Sequence, residues 1–270
     1  MRCKLGLIGT GAMAGAILER LLENLSFLHI KAEEIIAYDI ASEKLLPFQK
    51  RGVTVAKSAN EVFQNAEVVM LGIKPQFYAD ILGSTNTAGA KNIVSIMAGV
   101  TVAALRKYFA KEVGITRAMP NMPVQIGQGM TALYFDAVAQ DTRIFIQKIF
   151  DSCGKTLVID ESKFDAVTSI SGSGPAYVYL FASALIKGGQ DGGLSYEESR
   201  LLALQTITGA AGLSAVQNTT DLDEMVDRVC SKGGTTIEAV EVLKARSLED
   251  IVRNAVKACR DKSEHMSKEL

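Results

Sequence analysis

Three small residues near the N-terminus are placed for chemistry. Gly9, Gly11 and Ala14 in "KLGLIGTGAMAGAIL" read G-x-G-x-x-A between a short apolar run and residues at helical spacing. The first glycine permits a tight turn, the second lets a pyrophosphate reach the backbone, and the small third residue lets helix and strand close on each other. The helix start behind them offers N–H groups and a partial positive charge to an anion. A glycine turn with no ligand is the competing reading; the strand before it and the helix after it favour a dinucleotide.

Asp39 ends the next apolar run, "EIIAYD", 25 residues beyond Ala14, about where an acid meets adenosine ribose hydroxyls. A polar residue that merely caps a strand looks the same. If the carboxylate faces the ribose it opposes a 2′-phosphate, because like charges about 4 Å apart repel by roughly 4 kcal/mol at an effective dielectric near 20. NADH is then favoured over NADPH unless Lys44, Lys57 or a bound cation neutralises the position. Two more run ends, "GIKPQ" (72–76) and "IMAGVT" (96–101), border the same crevice if the runs are parallel strands, since ligands collect outside the carboxyl ends. Lys74 also fits the pattern of a solvated surface lysine.

These turns need a sheet to position them. Apolar runs at 4–9, 34–39, 67–73, 92–97 and 114–119 alternate with helix-compatible stretches at 14–25, 42–50, 58–65, 76–83 and 101–109. Strand–helix repetition of this kind predicts an α/β, doubly wound parallel sheet with right-handed crossovers. From about Glu161 the runs become helical, near 175–190, 195–216, 221–230, 234–244 and 247–264. The division expected is a dinucleotide-binding domain over 1–160 and a helical dimerisation and substrate domain over 161–270. Stretches such as "ESRLLALQTITGAAGLSAV" carry more apolar surface than one thin helical layer hides, which predicts a partner subunit. The tail "RDKSEHMSKEL" is polar and expected to fray.

Charge and composition narrow the classes. A net charge of −1 gives no general attraction for nucleic acid or an anionic membrane, and no apolar run reaches the roughly 18 residues of a span. Cys3, Cys153, Cys230 and Cys259 are scattered without a C-x-x-C pair, and His29 and His265 sit near neither each other nor a cysteine. No metal site or disulfide framework is expected, and reduced thiols fit a cytoplasmic protein. Surface roles are expected for both histidines.

With "GTGAMA" and "GIKP", three further segments, "RAMPNMPVQIGQGMTALY" (117–134), "SISGSGPAYVYLFASAL" (169–185) and "CSKGGTTIEAVEVL" (230–243), resemble the pyrroline-5-carboxylate reductase family over nearly the whole chain. The resemblance implies an N-terminal Rossmann-like domain, an all-helical C-terminal dimerisation domain, and NAD(P)H-dependent reduction of 1-pyrroline-5-carboxylate to L-proline. It also implies dimers, which assemble into larger rings in some members. Cofactor contacts then fall on Gly9, Thr10, Gly11, Ala12, Met13, Ala14, Asp39, Asn60, Ile73, Lys74, Pro75, Ala98 and Gly99. The substrate pocket falls on Gly233, Gly234, Thr235 and Thr236, with Glu161 and Asn121 facing the same region. The chain departs from the family in carrying Lys232 where Pro is usual and Lys187 where an acid is frequent.

The implied reaction asks little of a side-chain acid, because a protonated ring nitrogen already makes the imine carbon electrophilic. Positioning and exclusion of water dominate. Amides at Gly234 and Thr235 are placed to take the substrate carboxylate, and the Thr236 hydroxyl to bond the ring nitrogen, which makes Thr236 the catalytic candidate. A helix start with a threonine cap is the ligand-free alternative for the same residues. A related imine or β-hydroxy-acid reductase, and a non-catalytic NAD-binding regulator, remain rival functions; a hydroxy-acid enzyme wants a Lys or His base that no clear motif in the C-terminal half supplies.

Overall fold

The computed structural model describes residues 3–269. Two compact units divide it: residues 3–173 with 259–269, and residues 174–258.

The first unit is built on one sheet of β1 (Cys3–Ile8), β2 (Ile35–Tyr38), β3 (Thr54–Val55), β4 (Ala66–Leu71), β5 (Asn92–Ser95), β6 (Gly114–Met119), β7 (Gly129–Asp136) and β8 (Gly154–Val158). Their order is β3-β2-β1-β4-β5-β6-β7-β8. All neighbours pair parallel except β6 with β7. The five expected strands are present. The structure adds β3, β7 and β8, and the antiparallel β7 makes the sheet mostly, not wholly, parallel. β7 and β8 escape a periodicity reading because "GMTALYFD" mixes faces without alternation and "GKTLV" is short and largely exposed.

Helices α1 (Ala12–Glu23), α2 (Ala59–Asn65), α3 (Tyr78–Ser84) and α4 (Gln140–Asp151) cover the sheet. Helix α1 buries Ala14, Ile17, Leu18, Leu21 and Leu22, the i, i+3, i+4 stripe its sequence prescribes. Alternation along β4 sends Val68 and Met70 to one core with Leu5, Ile17 and Phe150. It sends Val69 and Leu71 to the other core with Phe63, Tyr78 and Ile93. Both faces are thus dry, as a helix-covered parallel sheet requires. Gly6 lets α2 seat on β1, because a Cβ there would lie 2.5 Å from Val62 Cγ1.

The second unit is helical: α5 (Gly174–Asp191), α6 (Tyr196–Val216), α7 (Leu222–Val229), α8 (Thr235–Ala245) and the first part of α9 (Leu248–Glu269). Ser195 starts α6 in a reciprocal cap with Glu198. Few of its apolar residues are buried; Tyr179, Leu180, Leu201 and Val216 are all exposed in the single chain. Surface of that kind is what a dimerising helical layer presents. No helix among the described residues is long and apolar enough to cross a membrane.

The C-terminal tail departs from expectation. Helix α9 runs on to Glu269, and Ser263 Oγ donates to Asp165 Oδ1 at 2.6 Å. His265 pairs with Glu269 on the same helix, and His29 is exposed. Lys187 and Lys232 are exposed as well, and nothing in the structure explains Lys187.

Candidate dinucleotide and substrate sites

Strand order reverses around β1, whose neighbours are β2 and β4, and the glycine turn leaves β1 at that switch point. Gly9 has φ +85°, and a Cβ on it would lie 2.8 Å from the Gly72 carbonyl oxygen. Its N–H donates to Tyr38 O, while Gly72 N–H donates to Ile8 O, so the two turns are laced to the strand ends. A Cβ on Gly72 would fall 2.5 Å from Ala14 Cβ. Glycine at position 72 is therefore required by the side chain of Ala14 and the backbone of Gly9.

Gly11 is different in kind. Its backbone is extended, at φ −64° and ψ −176°, and a Cβ there would meet nothing within 4 Å. It caps α1 with no side-chain acceptor for the first amides. A helix start that is bare, open and uncapped suits an anion. The cleft over it holds about 680 Å³ and is lined by Thr10, Gly11, Ala12, Lys44 and Lys74 among others. Open backbone amides flanked by two lysines fit the diphosphate of a nicotinamide dinucleotide.

Asp39 is buried, and both its oxygens are engaged. Oδ2 accepts from Thr10 N at 2.6 Å and from Thr10 Oγ1 at 3.0 Å. Oδ1 accepts from Ala41 N at 2.9 Å and lies 3.7 Å from Lys44 Nζ. Burial pushes this carboxyl's pKa up, but the Thr10 and Ala41 donors and Lys44 outweigh it, and the result lies below the ordinary carboxylate value. Asp39 thus pins the glycine turn to the end of β2, a role its motif position did not announce. A lowered folded pKa contributes stability that is present above the unfolded carboxylate range and lost as pH falls through the folded value. Asp39→Ala is expected to lower unfolding free energy by about 2–4 kcal/mol at pH 7, the scale of orphaning several buried donors. In urea titrations the gap between parent and variant should shrink towards pH 3; a gap independent of pH would show that the ionised carboxylate is not the clamp.

The other cofactor candidates lie around the same strand ends. Ile73 is half-buried, exposed Lys74 begins the short helical turn Pro75–Phe77, and Gly99 has φ +78° in the turn after β5 that also holds Ala98. Asn60, exposed on α2, accepts from Asn86 N at 2.9 Å through Oδ1.

Glu161 and Asn121 have protein partners. Glu161 Oε1 accepts from Val102 N at 2.8 Å and from Arg117 Nη1 at 3.1 Å. Arg117, inside the sheet on β6, was not singled out in the sequence. Burial lowers its pKa, against the opposing pull of Glu161 and Asp165. Asn121 donates to Ser171 O and accepts from Met130 N, tying the turn after β6 to β7 and to a π-helical turn over Thr168–Gly172. In that turn Gly172 packs against the flexible end of the Met119 side chain, a Cβ there lying 2.6 Å from Met119 Cε.

In the helical unit Gly233 has φ +71°, and Gly234 starts α8 with no side-chain cap. Thr235 is exposed and Thr236 half-buried. The threonine-cap alternative is not what the structure adopts: the first amides of α8 are left without a side-chain acceptor, as at α1.

The family described as pyrroline-5-carboxylate reductase dimerisation matches residues 161–266. One described as NADP oxidoreductase, coenzyme F420-dependent, matches residues 4–99. A pyrroline-5-carboxylate reductase of Synechocystis is 37% identical over 99% of this chain and 100% of its own length. The chain belongs to the pyrroline-5-carboxylate reductase family. The Escherichia coli member is 34% identical over 99% of this chain and 100% of its own length. The crystal structure of Plasmodium falciparum pyrroline carboxylate reductase with NADP bound is 30% identical and superposes with a TM-score of 0.87, covering 98% of each chain. The dimerisation family match over residues 161–266 supports self-association of this chain.

Proposed function

We propose that this chain reduces 1-pyrroline-5-carboxylate to L-proline with NAD(P)H, as the last step of proline biosynthesis. Similarity to family members over both halves and nearly full length carries the reading. The open, uncapped start of α1 is the local feature that agrees with it. The domain assignment that goes with it is cofactor binding over 1–160 and dimerisation and substrate binding over 161–270, in a cytoplasmic homo-oligomer.

When bound, NAD(P)H supplies a hydride to the imine carbon. The amides from Gly11 into α1 hold the diphosphate, with Lys74 and Lys44 adding charge. Asp39 fixes that turn through Thr10. The turns Ile73–Lys74–Pro75 and Ala98–Gly99 carry the nicotinamide side, and Asn60 stands at the adenosine side. The uncapped start of α8 takes the substrate carboxylate on backbone N–H groups around Gly234 and Thr235. Thr236 Oγ1 accepts from the protonated ring nitrogen and orients the ring. Within the first unit, Asn121 bonds Ser171 and Met130, and Glu161 bonds Val102 and Arg117.

Oxidation of NADH that depends on added 1-pyrroline-5-carboxylate tests the function. No turnover above blank with the dinucleotide still bound favours a regulator, and turnover only with a β-hydroxy acid favours that class of reductase.

The preference for NADH belongs to the same proposal. Asp39 stays ionised and repels a 2′-phosphate, while Lys44, at 3.7 Å, offsets part of that repulsion. Lys44→Ala is expected to raise the NADH-over-NADPH ratio of kcat/KM by about 2- to 5-fold, since an exposed cation contributes up to about 1 kcal/mol. Asp39→Ala narrows the ratio. NADPH serving tenfold better than NADH in the parent enzyme would end the proposal.

A further inference from the structure

We propose that Arg117 and Glu161 form a strut whose Glu161 carboxylate fixes the Ala98–Gly99 turn through the Val102 N–H, so that Glu161 is a positioning residue for dinucleotide affinity. The inference rests on the reading of that turn as part of the cofactor site.

Arg117 stands on β6 opposite Ser95 of β5 on one side and Tyr134 of β7 on the other, with its side chain only 6% exposed. A guanidinium so enclosed needs a partner, because removing a charge from water costs several kcal/mol. It has two: Glu161 Oε1 at 3.1 Å and the Phe164 ring, whose centroid lies 4.6 Å from Cζ. An apolar pair would fill the same space without the desolvation penalty. What it could not do is accept the Val102 N–H, which Glu161 Oε1 receives at 2.8 Å.

That hydrogen bond determines where the turn sits. Val102 is the first residue of the short helix Val102–Leu105, capped by Thr101 Oγ1 on Ala104 N. At the other end of the turn, Ser95 Oγ accepts from Met97 N. Ala98 and Gly99 therefore hang between two anchors, one on β5 and one on a carboxylate 59 residues further along the chain from Val102. Gly99 at φ +78° gives the loop a glycine pivot between them. Releasing the Val102 anchor leaves the short helix and the turn free to shift together, and misplacement of about 1 Å at a reactive ring is costly.

The test uses two charge-free pairs in the full-length enzyme, which avoids leaving either ion buried alone. Arg117→Met with Glu161→Gln keeps an acceptor for Val102 N–H; Arg117→Met with Glu161→Leu removes it. Kd for NADH from fluorescence titration, and KM for NADH and for the imine, are measured on both, with melting temperatures as the stability control. The Met/Leu enzyme is expected to bind NADH about tenfold more weakly than the Met/Gln enzyme. In NADH Kd, Met/Gln should lie within about threefold of the parent. Equal NADH Kd in the two enzymes overturns the strut whatever happens to the melting temperature. If neither double variant folds, Glu161→Gln alone against the parent decides: it keeps the acceptor, so NADH Kd more than tenfold weaker with an unchanged melting temperature refutes the proposal and a value within about threefold supports it. A parent enzyme that binds NADH but turns over no imine would sink the functional reading and leave the strut's effect on binding measurable.

Discussion

Gly11→Val is expected to weaken dinucleotide binding by about a hundredfold or more, the scale of losing two hydrogen bonds to a charged group, with the melting temperature little changed. The asymmetry follows from where the two glycines of the turn stand. At Gly11 the backbone is extended and a Cβ meets nothing within 4 Å, so the side-chain position opens into free space in the unliganded fold. That room is the space the diphosphate needs over the uncapped start of α1. Gly9→Ala should behave in the opposite way. At φ +85° and 2.8 Å from the Gly72 oxygen, the new methyl strains the fold itself, so stability falls along with binding. Isothermal titration with NADH beside thermal unfolding separates the two. Unchanged affinity in a folded Gly11→Val enzyme would mean that the diphosphate lies elsewhere.

Thr236→Ala is expected to lower kcat/KM for the imine by roughly tenfold to a hundredfold, the scale of one well-placed hydrogen bond to a charged group, with the fold intact. Thr236 is half-buried in the first turn of α8, and truncation there removes a hydroxyl that makes no side-chain cap. Thr235→Ala keeps the backbone N–H assigned to the carboxylate and should change kcat/KM by less than about threefold. Thr236→Ser restores the hydroxyl and should recover most of the activity. Unchanged kinetics in Thr236→Ala would remove that residue from the mechanism.

The glycine turn was legible in sequence because its geometry is set locally: a tight turn, a bare backbone and a small residue at fixed offsets leave a compositional trace. The five parallel strands were legible because strands covered on both faces are apolar throughout. β8 was not, since a short exposed strand with a lysine in it carries almost no pattern. The extension of α9 to Glu269 was hidden for a related reason: a polar segment reads as frayed until Asp165, far away in sequence, offers an acceptor to Ser263. Asp39 was found at its motif position, but its engagement with Thr10, Ala41 and Lys44 is tertiary and leaves no spacing signature. Arg117 carries no sequence signal of its own, because a cation in an apolar run explains itself only once Glu161 and Phe164 are placed beside it.

A crystal structure of the enzyme with NADH tests the central claim most directly. The account predicts diphosphate oxygens within about 3 Å of the backbone nitrogens at Gly11 and Ala12, at the head of α1. A dinucleotide bound with that turn empty, its diphosphate held by other residues, would contradict it.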